Sequence, residues 1–222
     1  MKRFIFFIAS LINIAASVVY IAVSPYDVVP THWNFQGVAD GFMSKWTMLF
    51  MPVTLIILSV AYVVTLKIFE KRGEDKNNSK YAGKIFLAVF LFWLALSWLF
   101  LSLSMNKIEK LGGVATTAVL LIMGAIIIFI GNLMPKLGRN SMIGVRTKST
   151  LSNETVWRKT NKLAGYLGVI CGAVFMILGA VNLKIGKEES YLIIVAVALA
   201  IILLAIIPGI YAIVISKKIK KE

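Results

Sequence analysis

His32 is the only histidine in this chain, and it shares the segment 24–45 with Asp27, Asn34, Gln36 and Asp40. An imidazole among carboxylates can exchange a proton, orient a polar ligand or contribute to a metal site. One histidine is a poor ligand set, and with a single cysteine in 222 residues a Cys/His-rich zinc centre is excluded. No nucleophile motif accompanies the histidine, which argues against a hydrolytic triad. Tyr26, Trp33, Phe35 and Phe42 give the same segment apolar surface, Pro25 and Pro30 stiffen it, and Asp40-Gly41 signals a turn. The pattern fits a compact lid with two uses. In one, it binds a ligand that is apolar with a few polar groups, with His32, Trp33, Asn34, Asp40 and Gly41 as the candidate contacts. In the other, it is an interfacial cap, with Trp33 and Trp46 as aromatic anchors and His32 tying down loop backbone.

A second segment, 135–162, is rich in polar and basic residues. It begins after Gly131-Asn132-Leu133-Met134-Pro135, which closes a helix, and continues irregularly through Asn140-Ser141-Met142-Ile143-Gly144-Val145-Arg146-Thr147. Ser152 is the expected N-cap of the next helix, with Glu154 facing its positive end and pairing with Arg158 at i,i+4. Trp157 is expected at the membrane interface. The segment reads either as a basic juxtamembrane hook or as a docking site for a soluble protein. Asn140, Gly144, Arg146, Thr147, Glu154 and Trp157 are the candidate partner contacts.

The elements that must position these segments follow from composition. Apolar residues make up 59% of the chain and charged residues 15%, and the mean hydropathy is +0.86. A soluble domain is about 45–50% apolar and about 25% charged, so an ordinary soluble protein is ruled out. Six uncharged runs, 4–23, 46–66, 85–105, 114–134, 163–183 and 191–215, contain no Asp, Glu, His, Lys or Arg. Each reaches the roughly 20 helical residues that span a bilayer core, and a lone segment in lipid satisfies its backbone only as a helix. The expected fold is all-α, an integral membrane bundle of six transmembrane helices. The first run is too long for a signal sequence, whose apolar stretch is about 7–15 residues, so a retained helix is expected.

Charge sets the expected orientation. Of the 24 Lys and Arg, 19 fall on the side of the termini and of segments 67–84 and 135–162, and five on the other, while the ten acids split evenly. The positive-inside rule then puts both termini in the cytoplasm of a multi-pass bacterial inner (plasma) membrane protein. The net charge of +14 is thereby explained by anionic membrane lipids, with no direct nucleic-acid partner. Ala164, Gly168 and Gly172 share a helix face and invite close approach by an unnamed neighbour; Gly124 and Gly131 could serve similarly. Pro52 and Pro208 are expected to kink their spans. Asn13 and Ser17 suggest an interhelical hydrogen bond, and Cys171 an inert buried thiol. The lack of ionisable residues in the spans lowers the case for an ion-coupled transporter.

Pro30-Thr31-His32-Trp33-Asn34, with Gly37 and Asp40-Gly41, resembles a domain of unknown function of bacterial membrane proteins that carries the Pro-Thr-His-Trp-Asn motif. Gly131-Asn132-x-x-Pro135, Asn140, Gly144-Val145-Arg146-Thr147, Thr150-Leu151-Ser152 and Glu154-x-Val156-Trp157-x-x-Thr160-Asn161 resemble the SdpI family. The chain departs from that family at Lys148-Ser149, where proline then tryptophan is frequent, and at Asn161, where histidine is. The resemblance implies an N-terminal helix pair with an extracellular loop over 1–69 and a four-helix SdpI-like region over 70–222 with its cytoplasmic loop at 135–162. It implies immunity against a secreted toxic peptide met at the outer face, and recruitment of a cytoplasmic transcriptional repressor to the membrane. No cofactor, metal or enzymatic activity is implied. Two alternatives are a transporter or exporter of a small apolar peptide and a membrane enzyme using His32.

Overall fold

A computed structural model describes residues 4–34, 36–73, 76–185 and 191–219. Phe35 and the connection 186–190 lie outside the described residues. The chain runs as α1 (Ile5–Ala22), β1 (Val28–Trp33), β2 (Ala39–Ser44), α2 (Phe50–Lys71), α3 (Lys76–Met105), α4 (Gly113–Leu133), α5 (Lys148–Ser152), α6 (Glu154–Ile185), α7 (Tyr191–Ile201) and α8 (Ile207–Ile219). Six helical stretches are long and apolar enough to cross a membrane, the last formed by α7 and α8 together. The protein is a multi-pass membrane bundle, as its six uncharged runs require. Many large apolar side chains, Ile12, Val19, Ile57 and Ile177 among them, face outward, as lipid rather than water demands.

The helices assort by their small and polar residues. α4 and α6 pack backbone to backbone. A Cβ on Gly124 would sit 2.7 Å from the Gly172 carbonyl oxygen, and one on Gly165 would sit 2.7 Å from that of Gly131. The unnamed partner of the Ala164/Gly168/Gly172 face is therefore α4. Hydrogen bonds close the far end of this seam: Asn182 Nδ2 donates to Gly113 O (2.9 Å) and to Thr117 Oγ1 (3.1 Å). α1, α2 and α3 are joined by polar side chains. Ser10 and Ser59 hydroxyls meet at 2.9 Å, and Trp98 Nε1 donates to Asn13 Oδ1 at 2.8 Å. Asn13 thus makes the interhelical bond its position suggested, whereas Ser17, also buried, makes none.

Both prolines are accommodated by local winding. Pro52 lies in the first turn of α2, directly after a 3-10 turn, Lys45–Leu49, so it marks the start of the α-helix rather than a break within it. Pro208 follows a π-helical turn, Ile202–Ile206, and lacks the N–H that would bond back to Leu204. The widened turn removes the ring clash an unbroken α-helix would impose.

Candidate functional site

The segment expected to form a lid folds as an antiparallel β-hairpin, the one sheet among the described residues. Val28 pairs with Ser44, Val29 with Met43 and Pro30 with Phe42; the register then shifts, so that His32 faces Gly41 and Trp33 faces Ala39. At the tip, Asn34 Oδ1 accepts from the N–H groups of Gln36 and Val38, both at 3.0 Å. Gly37, at φ +72°, supplies the left-handed residue the turn needs. The register brings His32 and Asp40 together across the ladder, with Nδ1 and Oδ1 2.5 Å apart. Gly41 permits this approach, since a Cβ there would lie 2.9 Å from that of His32.

The pair is exposed, the His32 side chain by 70% and Asp40 by 46%. A carboxylate accepting from Nδ1–H fixes the imidazole tautomer and leaves Nε2 as an acceptor. Neighbouring Thr31 gives its hydroxyl hydrogen to Gly41 O (3.3 Å) rather than to the imidazole. Among the described residues no group of three or more His, Cys, Asp or Glu is placed to hold a metal.

The hairpin is docked to the bundle on two sides. Trp33 Nε1 donates to Ile108 O (3.0 Å), Ala39 N–H donates to Glu109 O (2.7 Å) and Leu111 N–H donates to Gly37 O (2.7 Å). The α3–α4 connection thus runs along the β2 end of the hairpin. On the other side Lys45, largely buried, donates through Nζ to Ser24 O (3.0 Å) and lies 3.5 Å from Asp27. Neither the connection 106–112 nor Lys45 stood out in the sequence, because long-range pairing of ordinary residues leaves no local signal. Beneath the hairpin lies a cavity of about 540 Å³ lined by Thr31, Met43, Thr47, Met48, Phe50, Met51 and Phe100. Its walls are mainly apolar, with three methionines and with Thr31 and Thr47 as the polar residues, which suits irregular apolar ligands.

At the opposite end of the bundle the loop before α6 is held by its own side chains. Asn140 spends its whole amide locally: Oδ1 accepts from Met142 N (2.8 Å) and Ile143 N (2.7 Å), and Nδ2 donates to Gly138 O (3.0 Å) and Ile143 O (2.9 Å). Thr147 caps α5 in a reciprocal box with Thr150. Trp157 is fully buried and donates through Nε1 to Leu137 O at 2.8 Å. It is thus an anchor within the protein, where a surface position was expected, because the loop backbone supplies the partner its N–H requires. Gly144, at φ +123°, lies against Trp157 and Asn161, and Asn161 Oδ1 accepts from Val145 N (2.9 Å).

Two further expectations change here. The N-cap of α6 is Asn153, whose Oδ1 accepts from Val156 N at 3.1 Å, rather than Ser152. Glu154 faces Arg139 at 3.6 Å, not Arg158, so the acid closes the loop onto the helix. Of the candidate partner contacts, Arg146 is exposed, Glu154 is partly engaged, and Asn140, Gly144, Thr147 and Trp157 shape the loop from within.

Comparison with known proteins matches both ends of the chain. Residues 136–215 match the SdpI/YfhL protein family, and residues 8–64 match a domain of unknown function, DUF1648. The chain is 27% identical over 177 residues to the immunity protein SdpI of Bacillus subtilis (strain 168), covering 79% of each. No solved structure matches it. The hairpin with its His32–Asp40 pair therefore lies within the residues that match DUF1648, and the loop built around Asn140, Trp157 and Asn161 within those that match the SdpI/YfhL protein family.

Proposed function

We propose that this chain is a plasma-membrane immunity protein that protects its cell from a secreted toxic peptide. The observation that carries the reading is the similarity to an immunity protein over 79% of the chain. Orientation follows the charge count, with the hairpin end outside and both termini in the cytoplasm. In this reading the DUF1648 part, with α1, the hairpin and α2, meets the peptide, and the remaining four spans carry the cytoplasmic loop; 1–69 and 70–222 mark the two units.

His32 and Asp40 are the direct polar contacts, because they are exposed, paired and leave Nε2 available. Trp33, Asn34 and Gly41 set the shape that presents them. The methionine-lined cavity below can receive an apolar side chain of the same peptide. On the cytoplasmic side, the loop recruits a repressor when peptide is bound, with Arg146 as the outward contact and Asn140, Gly144, Thr147, Glu154 and Trp157 maintaining its form. The dyad is assigned to binding rather than catalysis because Thr31, the hydroxyl beside it in sequence, bonds elsewhere.

Expression in a strain sensitive to the toxic peptide of SdpI-family systems tests the reading. Survival above the empty-vector control is the expected result. Equal killing at verified membrane abundance would overturn the reading for that peptide class.

A further inference from the structure

The end of the bundle opposite the hairpin holds a cleft of about 400 Å³ lined by Arg72, Arg139, Asn140, Ser141, Arg146 and Leu151. Three guanidinium groups around one cleft repel one another unless an anion enters it. Arg139 is partly neutralised, donating from Nη1 to Leu151 O (3.2 Å) and lying 3.6 Å from Glu154. The side chains of Arg72 and Arg146 are exposed and make no hydrogen bond or ion pair among the described residues. Asn140 is saturated within its own loop, so it forms wall rather than ligand contact.

We infer that this cleft binds a phosphate group. Guanidinium matches phosphate oxygens in bidentate geometry and keeps its charge at every physiological pH. The cleft's place at the end of a helix long and apolar enough to cross a membrane favours a membrane lipid as the source. Arg72 directly follows the apolar helix α2, and Leu151 on the rim is an exposed apolar residue, so the cleft opens where anionic headgroups lie. A soluble phosphate ester shares the chemistry. Arg72 lies just past the DUF1648 match and Arg146 within the SdpI/YfhL match, so the bound phosphate ties the two regions together at this end. The inference does not depend on the immunity reading.

Full-length protein in detergent is assayed by native mass spectrometry for retention of phosphatidylglycerol against phosphatidylcholine. Inorganic phosphate and glycerol 3-phosphate are titrated in a parallel arm. The wild type is expected to retain phosphatidylglycerol selectively, and Arg72→Gln with Arg146→Gln to lose about tenfold, as removal of charge-assisted bonds implies. Arg72→Lys with Arg146→Lys, which keeps the charge and relieves any folding concern, should fall in between. Tight binding of the soluble phosphates, lost in the same Gln variant, assigns the cleft to a soluble source. Lys217→Gln with Lys218→Gln removes equal charge from the exposed last turn of α8 and should leave retention unchanged. Equal loss in that control, or no loss in the arginine variants, overturns the inference.

Discussion

Asn161 shows how a single side chain holds this protein's basic loop. The Asn161 side chain is buried; its Oδ1 accepts from Val145 N in a partly buried bond and its Nδ2 donates to Trp157 O in a buried one. Removing it leaves the Val145 N–H unpaired, at a cost of about 1–3 kcal/mol. Asn161→Ala is therefore expected to lower the thermal unfolding midpoint of purified protein, and Gly144→Ala to do so as well, since φ +123° is closed to a side chain. Unchanged midpoints in both would refute the loop account. A polar, glycine-containing loop could be recognised in the sequence, but the identities of its internal partners could not. Trp157 reads as an interfacial residue by type, and only the approach of Leu137 O, twenty positions earlier, makes it internal. His32 and Asp40 were legible as members of one segment. Their contact depends on the irregular register between Pro30 and Trp33, which no local pattern announces.

Among the elements, α4 and α6 form the tightest pair. In lipid, helices gain no hydrophobic stabilisation from one another, so packing and hydrogen bonds decide association. Gly124, Gly131, Gly165 and Gly172 allow carbonyl-level approach, and Asn182 closes the seam. A bulky residue at Gly172 must displace Ile128, whose Cγ1 would lie 2.7 Å from an added Cβ, as well as the Gly124 carbonyl. Gly172→Leu is expected to reduce folded protein in membranes sharply, while Ile177→Leu on the lipid-facing side of the same helix should be neutral. Comparable yield of monodisperse protein from both variants would contradict the seam. The small-residue stripe on α6 was visible from its spacing of four. Its partner was not, because every neighbouring span is apolar enough to qualify. The hairpin was hidden for a related reason: Pro and Gly within 28–44 weaken any strand signal, and the pairing is completed by the distant α3–α4 connection.

Across the whole molecule, the charge asymmetry and the pairing of loops give one sidedness. Hairpin and 106–112 share one end, while Arg72 and the Asn140 loop share the other. In a Cys171→Ala background, Gln36→Cys should react with an impermeant thiol reagent in intact cells, and Lys148→Cys only after lysis. The opposite pattern would invert the orientation and remove the outer site. That six spans would form was evident from six uncharged runs, since lipid leaves an apolar chain few options. What the ends recognise was less evident, because the contacts proposed for them, His32 and Arg146, are exposed residues that the fold tolerates rather than demands. The central claim is that the exposed hairpin pair protects the cell from a toxic peptide. It is tested most directly by measuring survival of peptide-challenged cells carrying wild type, His32→Ala or Asp40→Ala, each normalised to membrane abundance. Protection should fall in both variants while abundance holds. Full protection in both, or loss only in proportion to protein level, would contradict the claim.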